Sequence, residues 1–284
     1  MSQILAMIRG RYAPKPHELN PLNGVGYGQK ANLRIVAGPT YQSIEIKHNV
    51  AITDILKVSM TLAGKEFVSL TGPDLKELAT QRKIYTQDGR LIIPFANPQM
   101  RTRQGVRAGE LVTLENDHIM IYIELKTAAA AADNTVVPEI KLRAHTTAPQ
   151  ADRYFLPRLF TQDWTANQGG ETPFDWQDRD PRRSLRRIIL QAADILRVEI
   201  KRDDLVEFEA TTEDNAFDLQ CNERSPLVDS YVLDFLACGF GEDGRFPTYA
   251  RKSLDFRIDK TAAGNIRLIV DMIEQLKDLP QATA

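Results

Sequence analysis

Asp54-Ile55-Leu56-Lys57-Val58 returns later in the chain as Asp194-Ile195-Leu196-Arg197-Val198, and this repeat decides the fold. The shift between the two copies is 140 residues (194 − 54), and residues 91–95 align with residues 231–235 at the same shift. No gap is needed between residues 54 and 95. The matches fall on apolar runs that are typical of strands, so the sequence predicts a duplicated domain.

A helix start recurs at the same shift. Thr71 can cap a short helix, Pro73 suits its first turn, and Asp74 follows three residues after the cap. The second copy places Thr211 and Asp214 at the corresponding positions. A repeated capping pair is harder to attribute to chance than repeated apolar residues.

Short segments with alternating apolar residues surround each helix and are separated by turns. Many short strands, one short helix per copy and no alternation of strands with long helices predict an all-β protein. We expect two tandem jelly-roll β-sandwiches of about eight strands each, with a short helix inserted in each. The expected boundaries are 1–28 for an N-terminal arm, 29–147 for the first jelly roll and 148–284 for the second. Residues 14–28, rich in Pro and Gly, should form an extended linker, and residues 164–181 a long loop.

Composition describes an ordinary globular protein. The chain has 284 residues, 43% hydrophobic residues and a net charge of −2, which suits two cores and argues against a general nucleic-acid binder. Cys221 and Cys238 have neither metal-type nor redox-type spacing, so we expect free, buried thiols in a reducing compartment. No apolar run reaches the roughly 18 residues that cross a bilayer, and we expect neither a membrane span nor a secretory signal.

The first fifteen residues carry an apolar patch followed by Arg9, Arg11 and Lys15, with no acidic residue among them. Such a segment suits either a membrane surface or a neighbouring domain or subunit. We favour packing on a neighbour, because the patch is too short for a strong amphipathic helix.

No catalytic constellation is visible in the sequence. It contains no nucleophile elbow, phosphate-binding loop or zinc-protease motif, and its histidines stand apart, at His17, His48, His118 and His145. We therefore predict that the protein is not an enzyme.

Charged residues cluster between positions 175 and 187. The arginines there could bind phosphate. However, Asp178 and Asp180 lie beside Arg182 and Arg183, and such mixed charge favours a solvated loop or a subunit contact with salt bridges. The acidic residues of this stretch, and those of 213–218, could meet a hard cation such as calcium. Neither run has the glycine and terminal glutamate of an EF-hand loop.

Five dispersed segments resemble the coat protein of corticoviruses, tailless icosahedral phages with an internal membrane and a double jelly-roll major capsid protein. The matching segments are residues 38–46, residues 125–134 with their alanine tract, Tyr154-Phe155, residues 230–235 and residues 254–259.

This resemblance implies a homotrimer that forms pseudo-hexagonal capsomers and tiles an icosahedral shell around the viral membrane. It places Arg9, Arg11 and Lys15 at the base, against lipid headgroups. It also implies minor capsid or vertex proteins as partners, no direct contact with nucleic acid and location in the virion after assembly in the host cytoplasm. No cofactor is required, although calcium can lie between subunits.

A rival interpretation is a two-domain carbohydrate-binding or glycoside-acting β-sandwich protein. It requires an exposed aromatic platform or facing carboxylates, and Trp164 and Trp176 are the only tryptophans available for a platform. A sugar-binding module would be a monomer, whereas a coat protein should form trimers.

Overall fold

The computed structural model describes residues 13–241 and 244–278, in which two domains of the same design follow one another. The first domain contains nine strands, β1–β9, which are Lys15–Glu18, Lys30–Arg34, Thr40–His48, Ile55–Leu62, Lys65–Leu70, Arg90–Pro94, Leu111–Val112, Ile119–Leu125 and Ile140–Thr147. The second contains β10–β18, which are Phe155–Ala166, Gly170–Asp175, Arg183–Gln191, Ile195–Arg202, Leu205–Thr211, Tyr231–Asp234, Phe246–Pro247, Leu254–Lys260 and Gly264–Gln275.

In the described part of the chain three α-helices interrupt the strands. They are α1 (Gly72–Gln81), α2 (Arg103–Arg107) and α3 (Thr212–Cys221), with short 3-10 turns at Ile52–Asp54 and Ala128–Ala130. None of the helices in the described ranges is long and apolar enough to cross a membrane.

Strand order is the same in both domains. The first domain has the sheet β1-β9-β3-β6, with β7 on β3, and the sheet β2-β8-β4-β5. Adding nine to each strand number gives the second domain: β10-β18-β12-β15, with β16 on β12, and β11-β17-β13-β14. Two four-stranded sheets with this order form a jelly roll, so the predicted pair of jelly rolls, each with an inserted helix, is confirmed.

The repeat extends to local backbone detail. β4 and β13 have the same pattern of buried and exposed residues, and each carries a register shift two residues after its start and another five residues after its start. Left-handed residues also recur at the shift of 140, in the pairs Ala63 and Asp203, Gly64 and Asp204, Lys83 and Glu223, and Gly89 and Asp229. Such positions mark turns, so both copies turn at the same places.

One sheet continues from the first domain into the second. Leu159 of β10 lies opposite Val68 of β5, and Phe160 opposite Ser69, in a parallel pairing. This pairing joins the two domains in a nine-stranded sheet. We call the contact between the domains the seam.

The structure corrects the expected linker at residues 14–28. Lys15–Glu18 form β1, which pairs antiparallel with β9 and is the first strand of the jelly roll. The sequence concealed it because Pro14 and Pro16 suggest irregular structure, yet an edge strand tolerates proline. Lys15 therefore belongs to a strand, whereas Arg9 and Arg11 lie outside the described residues.

Two further expectations were wrong. The predicted loop at residues 164–181 contains the end of β10 and the whole of β11, because Gly169-Gly170 supports a turn between strands rather than a long loop. Cys221 and Cys238 are free but exposed, not buried.

Candidate functional site

The described residues contain no cluster of side chains suited to a metal ion. No group of three or more His, Cys, Asp or Glu side chains in residues 13–241 and 244–278 could hold a metal ion. His17 and His145 lie on the neighbouring strands β1 and β9, whereas His48 ends β3 and His118 precedes β8. The features that remain are the seam and the surfaces that correspond to it.

Helix α1 belongs to the first domain but contacts the second. Arg267 donates a hydrogen bond of 2.7 Å to Asp74, which is also the third residue of the helix and forms the capping box with Thr71. Gln191 and Ser230 donate to the carboxylate of Glu77. These contacts place the polar side of α1 against β12, β15 and β18.

A buried ion network lies where α1 ends. Asp271 of β18 accepts hydrogen bonds from Arg82, from Arg186 at 2.7 Å and from Arg187 at 3.1 Å. Arg187 also lies 3.1 Å from Asp234, which accepts a hydrogen bond of 2.8 Å from Gln81. The five charged side chains of this network are each at most 2% exposed, so each charge depends on its partners.

The pKa shifts reflect this exclusion. Burial disfavours the charged form of Asp271, but the guanidinium groups of Arg186, Arg82 and Arg187 outweigh it and hold its pKa at about 2. Burial lowers the pKa of Arg82 to about 9, although Asp271 opposes that shift. The network thus keeps one carboxylate ionised among three cations.

Arg186 and Arg187 also bind the backbone and side chains of the first domain. Arg186 donates to the carbonyl oxygen of Phe95 at 3.4 Å, and Arg187 donates to Asn97 at 3.0 Å. A Cβ on Gly109 would lie 2.2 Å from Arg186, so the close approach of this arginine requires glycine at position 109.

The centre of the seam is apolar. Ile189, Val232 and Ile269 lie on the outer face of the second domain's β10-β18-β12-β15 sheet, yet they belong to the buried core cluster of the first domain. With this apolar centre the seam resembles the interior of a domain, so the two jelly rolls form a permanent pair.

The corresponding face of the first domain is left uncovered by residues 13–241 and 244–278. Glu45, Arg90, Arg143 and His145 help to line a cleft of about 600 Å³ on the outer face of β9, β3 and β6. Arg90 and Arg143 both bond to Glu45, which is itself buried beneath them.

The charged residues that the sequence singled out fall into two groups. Arg183 bonds to Asp178 and to Glu274 and lies 3.9 Å from Asp180, all within the same chain. Arg182 is exposed and lies 4.0 Å from Asp278. Their role as subunit contacts stays a prediction.

Sequence reasoning assigned Arg186 and Arg187 to a charged cluster in a solvated loop or subunit contact and did not single out Asp271, whereas the structure buries all three in the seam. A signal was present: two consecutive arginines stand inside the apolar strand β12, and one aspartate stands inside the apolar run of β18. Charges inside strands buried on both faces require partners, but the sequence does not name them.

Both tryptophans are buried in the second domain. Trp164 is 7% exposed and stacks on Phe174 at a centroid distance of 4.9 Å, and Trp176 is 1% exposed and lies 5.7 Å from Phe256. They form an aromatic core rather than an exposed platform. The carbohydrate-binding alternative therefore loses the exposed aromatic platform, and no finding supports it.

Comparisons with solved structures find the same architecture in viral capsids. The major capsid protein P2 of bacteriophage PM2 superimposes with a TM-score of 0.83 at 21% identity, over 93% of this chain and 98% of that chain. An atomic structure from Sulfolobus turreted icosahedral virus gives a TM-score of 0.64 at 9% identity, over 93% of this chain and 91% of that one. A PBCV-1 virus capsid model gives 0.54 at 9% identity, over 97% and 87%.

A search of curated proteins finds no match. Two family models together cover most of the chain: the N-terminal domain of viral coat protein P2 matches residues 16–147, and its C-terminal domain matches residues 156–276. The chain, with its two jelly rolls and their shared seam, therefore belongs to the viral coat protein P2 family.

Proposed function

We propose that the protein is the major capsid protein of a virus with an internal membrane, and that it forms homotrimers that tile an icosahedral shell. The observation that carries this proposal is the duplication of one jelly roll within a chain of the coat protein P2 family. The TM-score of 0.83 with the PM2 capsid protein supports the fold on which it rests.

Duplication explains how a threefold object can fill a hexagonal lattice. Three chains with two similar domains present six similar sides, so each trimer can meet six neighbours. A closed ring of this kind arises when a head-to-tail contact repeats around an axis. The function is structural, and the proposal assigns the protein no enzymatic activity.

The remaining partners are also part of the proposal. We expect the viral membrane and minor capsid or vertex proteins to contact the shell, with assembly in the host cytoplasm and no direct contact with nucleic acid. Contact of Arg9, Arg11 and Lys15 with lipid headgroups is part of the same proposal; Lys15 lies in the exposed strand β1, and Arg9 and Arg11 lie outside the described residues.

Calcium at subunit interfaces, with ligands shared between chains, stays part of the proposal. The described part of a single chain holds no cluster of three acidic, histidine or cysteine side chains suited to a metal ion. The proposal requires no other cofactor.

Light scattering of the purified protein tests the proposal. The expected mass is about three times the 32.0 kDa of the chain. Measuring it with calcium and again after a chelator shows whether an ion holds the trimer together. A monomer under both conditions would contradict the trimeric capsid protein.

A further inference from the structure

Each surface that the seam covers has an uncovered counterpart on the same chain. In the seam, α1 and β5 of the first domain contact the β10-β18-β12-β15 sheet of the second domain. The counterparts of α1 and β5 are α3 and β14, at the shift of 140 residues. The counterpart of the contacted sheet is β1-β9-β3-β6.

We infer that α3 and β14 of one copy dock on the β1-β9-β3-β6 sheet of a second copy, so that the contact between chains repeats the seam within the chain. This inference rests on the proposed trimer and names the surfaces that form it. Its occupant is a second copy of this chain, because the same chain already shows both halves of the contact joined in the seam.

The edge strands provide the first argument. Within the described residues β14 pairs with β13 alone, and its Leu205 and Val206 are 73% and 52% exposed. Its counterpart β5 is covered by β10 and buries Phe67, Val68 and Leu70. An exposed apolar edge strand is a site for pairing with another chain.

The partner edge is β1, whose four residues are all exposed. Pro16 pairs with His145 of β9, as Leu159 pairs with Asp271 of β18, so Pro16 occupies the position of Leu159. In the seam, Leu159 lies opposite Val68. The same register between chains places Phe208 opposite Pro16 and Glu209 opposite His17.

Charge complementarity is preserved at the helix. In the seam, Asp74 of α1 binds Arg267. Asp214 stands at the position of Asp74, as the residue whose backbone Thr211 caps. Lys141 stands at the position of Arg267. Lys141 lies four residues before His145 of β9, and Arg267 lies four residues before the corresponding Asp271 of β18. Both Asp214 and Lys141 are exposed, and docking brings them together.

The cleft on the first domain is the space that α3 fills. Its row Ile92, Glu45 and Arg143 corresponds strand for strand to Val232, Ile189 and Ile269, which the first domain covers in the seam. On α3, Phe217 stands at the position of Glu77 and is 67% exposed. Glu77 binds Gln191 and Ser230 in the seam, and their counterparts on the first domain are Lys47 and Arg90. Docking therefore places Phe217 on the surface around Lys47 and Arg90, beside the cleft.

Disulfide crosslinking tests this register. In a background with Cys221→Ser and Cys238→Ser, we introduce His17→Cys and Glu209→Cys. Neighbouring strands lie about 5 Å apart, within the range that a disulfide spans. We expect mild oxidation to convert the protein into a covalent trimer on a non-reducing gel.

A matched control replaces Glu209→Cys with Glu171→Cys, on the opposite edge strand of the same sheet, β11. This pair should not crosslink. Equal crosslinking of both pairs would overturn the inferred register, as would a trimer by light scattering in which the His17 and Glu209 cysteines stay unlinked. That last result would leave the proposed trimer standing, whereas a monomer would overturn both.

A charge exchange provides a second readout. Asp214→Lys and Lys141→Glu should each weaken trimer formation about ten-fold in dissociation constant, and the double variant should restore it. Both side chains are exposed in the monomer, so both variants should still fold, although Asp214→Lys also removes the hydrogen bond between Asp214 and Thr211 at the start of α3. Unchanged dissociation constants in both single variants would contradict the inference.

Discussion

Helices α1 and α3 begin with the same capping pair and have the same length, but their surroundings differ. On α1, Asp74 and Gln81 are buried against the second domain, whereas the corresponding Asp214 and Cys221 of α3 are exposed. The difference lies in what covers each helix. A fold that is duplicated in one chain buries one copy of the contact surface and leaves the other free for a neighbour.

The chemistry of the two surfaces follows this division. The outer face of the second domain's sheet is apolar at Ile189, Val232 and Ile269, which suits a permanent contact. The matching face of the first domain carries Arg90 and Arg143, partly exposed and paired with Glu45, which keep it hydrated while the chain is alone. A contact that forms after folding is thereby more polar than one that forms during folding.

Removing the central carboxylate of the seam should have the largest effect on stability. Asp271→Ala leaves three buried guanidinium groups without their shared partner, which should cost about 3–5 kcal/mol in the free energy of unfolding. Chemical denaturation measures this cost. Asp214→Ala, on the uncovered counterpart, is the control and should change the free energy by less than about 0.5 kcal/mol. Equal effects would show that the two surfaces do not differ as described.

Acid should weaken the seam in a defined window. The pKa of Asp271 is about 2 in the folded protein and about 4 when unfolded, so the unfolded chain takes up the proton first. The stabilisation is present above about pH 4 and is lost as pH falls toward 2, an effect of about 2.5 kcal/mol.

Denaturation at pH 5 and at pH 2.5 measures the acid loss. In Asp271→Asn the loss of unfolding free energy between pH 5 and pH 2.5 should be smaller by the contribution of this carboxylate, even though the variant is less stable overall. An identical acid loss in the variant and the parent would assign the effect to other groups.

The helix caps should show the smallest difference. Asp74 accepts a hydrogen bond from the backbone of its cap residue, in addition to the bond that Thr71 accepts, whereas at α3 the side chains of Thr211 and Asp214 bond to each other. We expect Thr71→Ala to cost about 1 kcal/mol and Thr211→Ala about half as much, because water reaches the exposed cap of α3. Thermal unfolding of both variants measures the difference, and a larger loss for Thr211→Ala would contradict it.

The sequence predicted the fold better than the site. The repeat at residues 54 and 194 predicted the strands, the helix and its cap in both domains, because the formation of each element depends on residues that are close in sequence. The strand at Lys15–Glu18 was missed because local proline rules describe a central strand and this one is an edge.

The seam depends on pairings between residues that lie far apart in the chain. Arg82 and Asp271 meet only because β10 joins the sheet of the first domain, and no local pattern encodes that parallel pairing. For the same reason the sequence could not show that α1 would be covered and α3 exposed.

The structure of the purified oligomer by electron cryo-microscopy tests the central claim most directly. The account predicts three chains in a ring of six jelly rolls, with β14 of each chain parallel to β1 of the next and Asp214 beside Lys141. An oligomer joined through other surfaces, with α3 and the β1 edge both facing solvent, would contradict it.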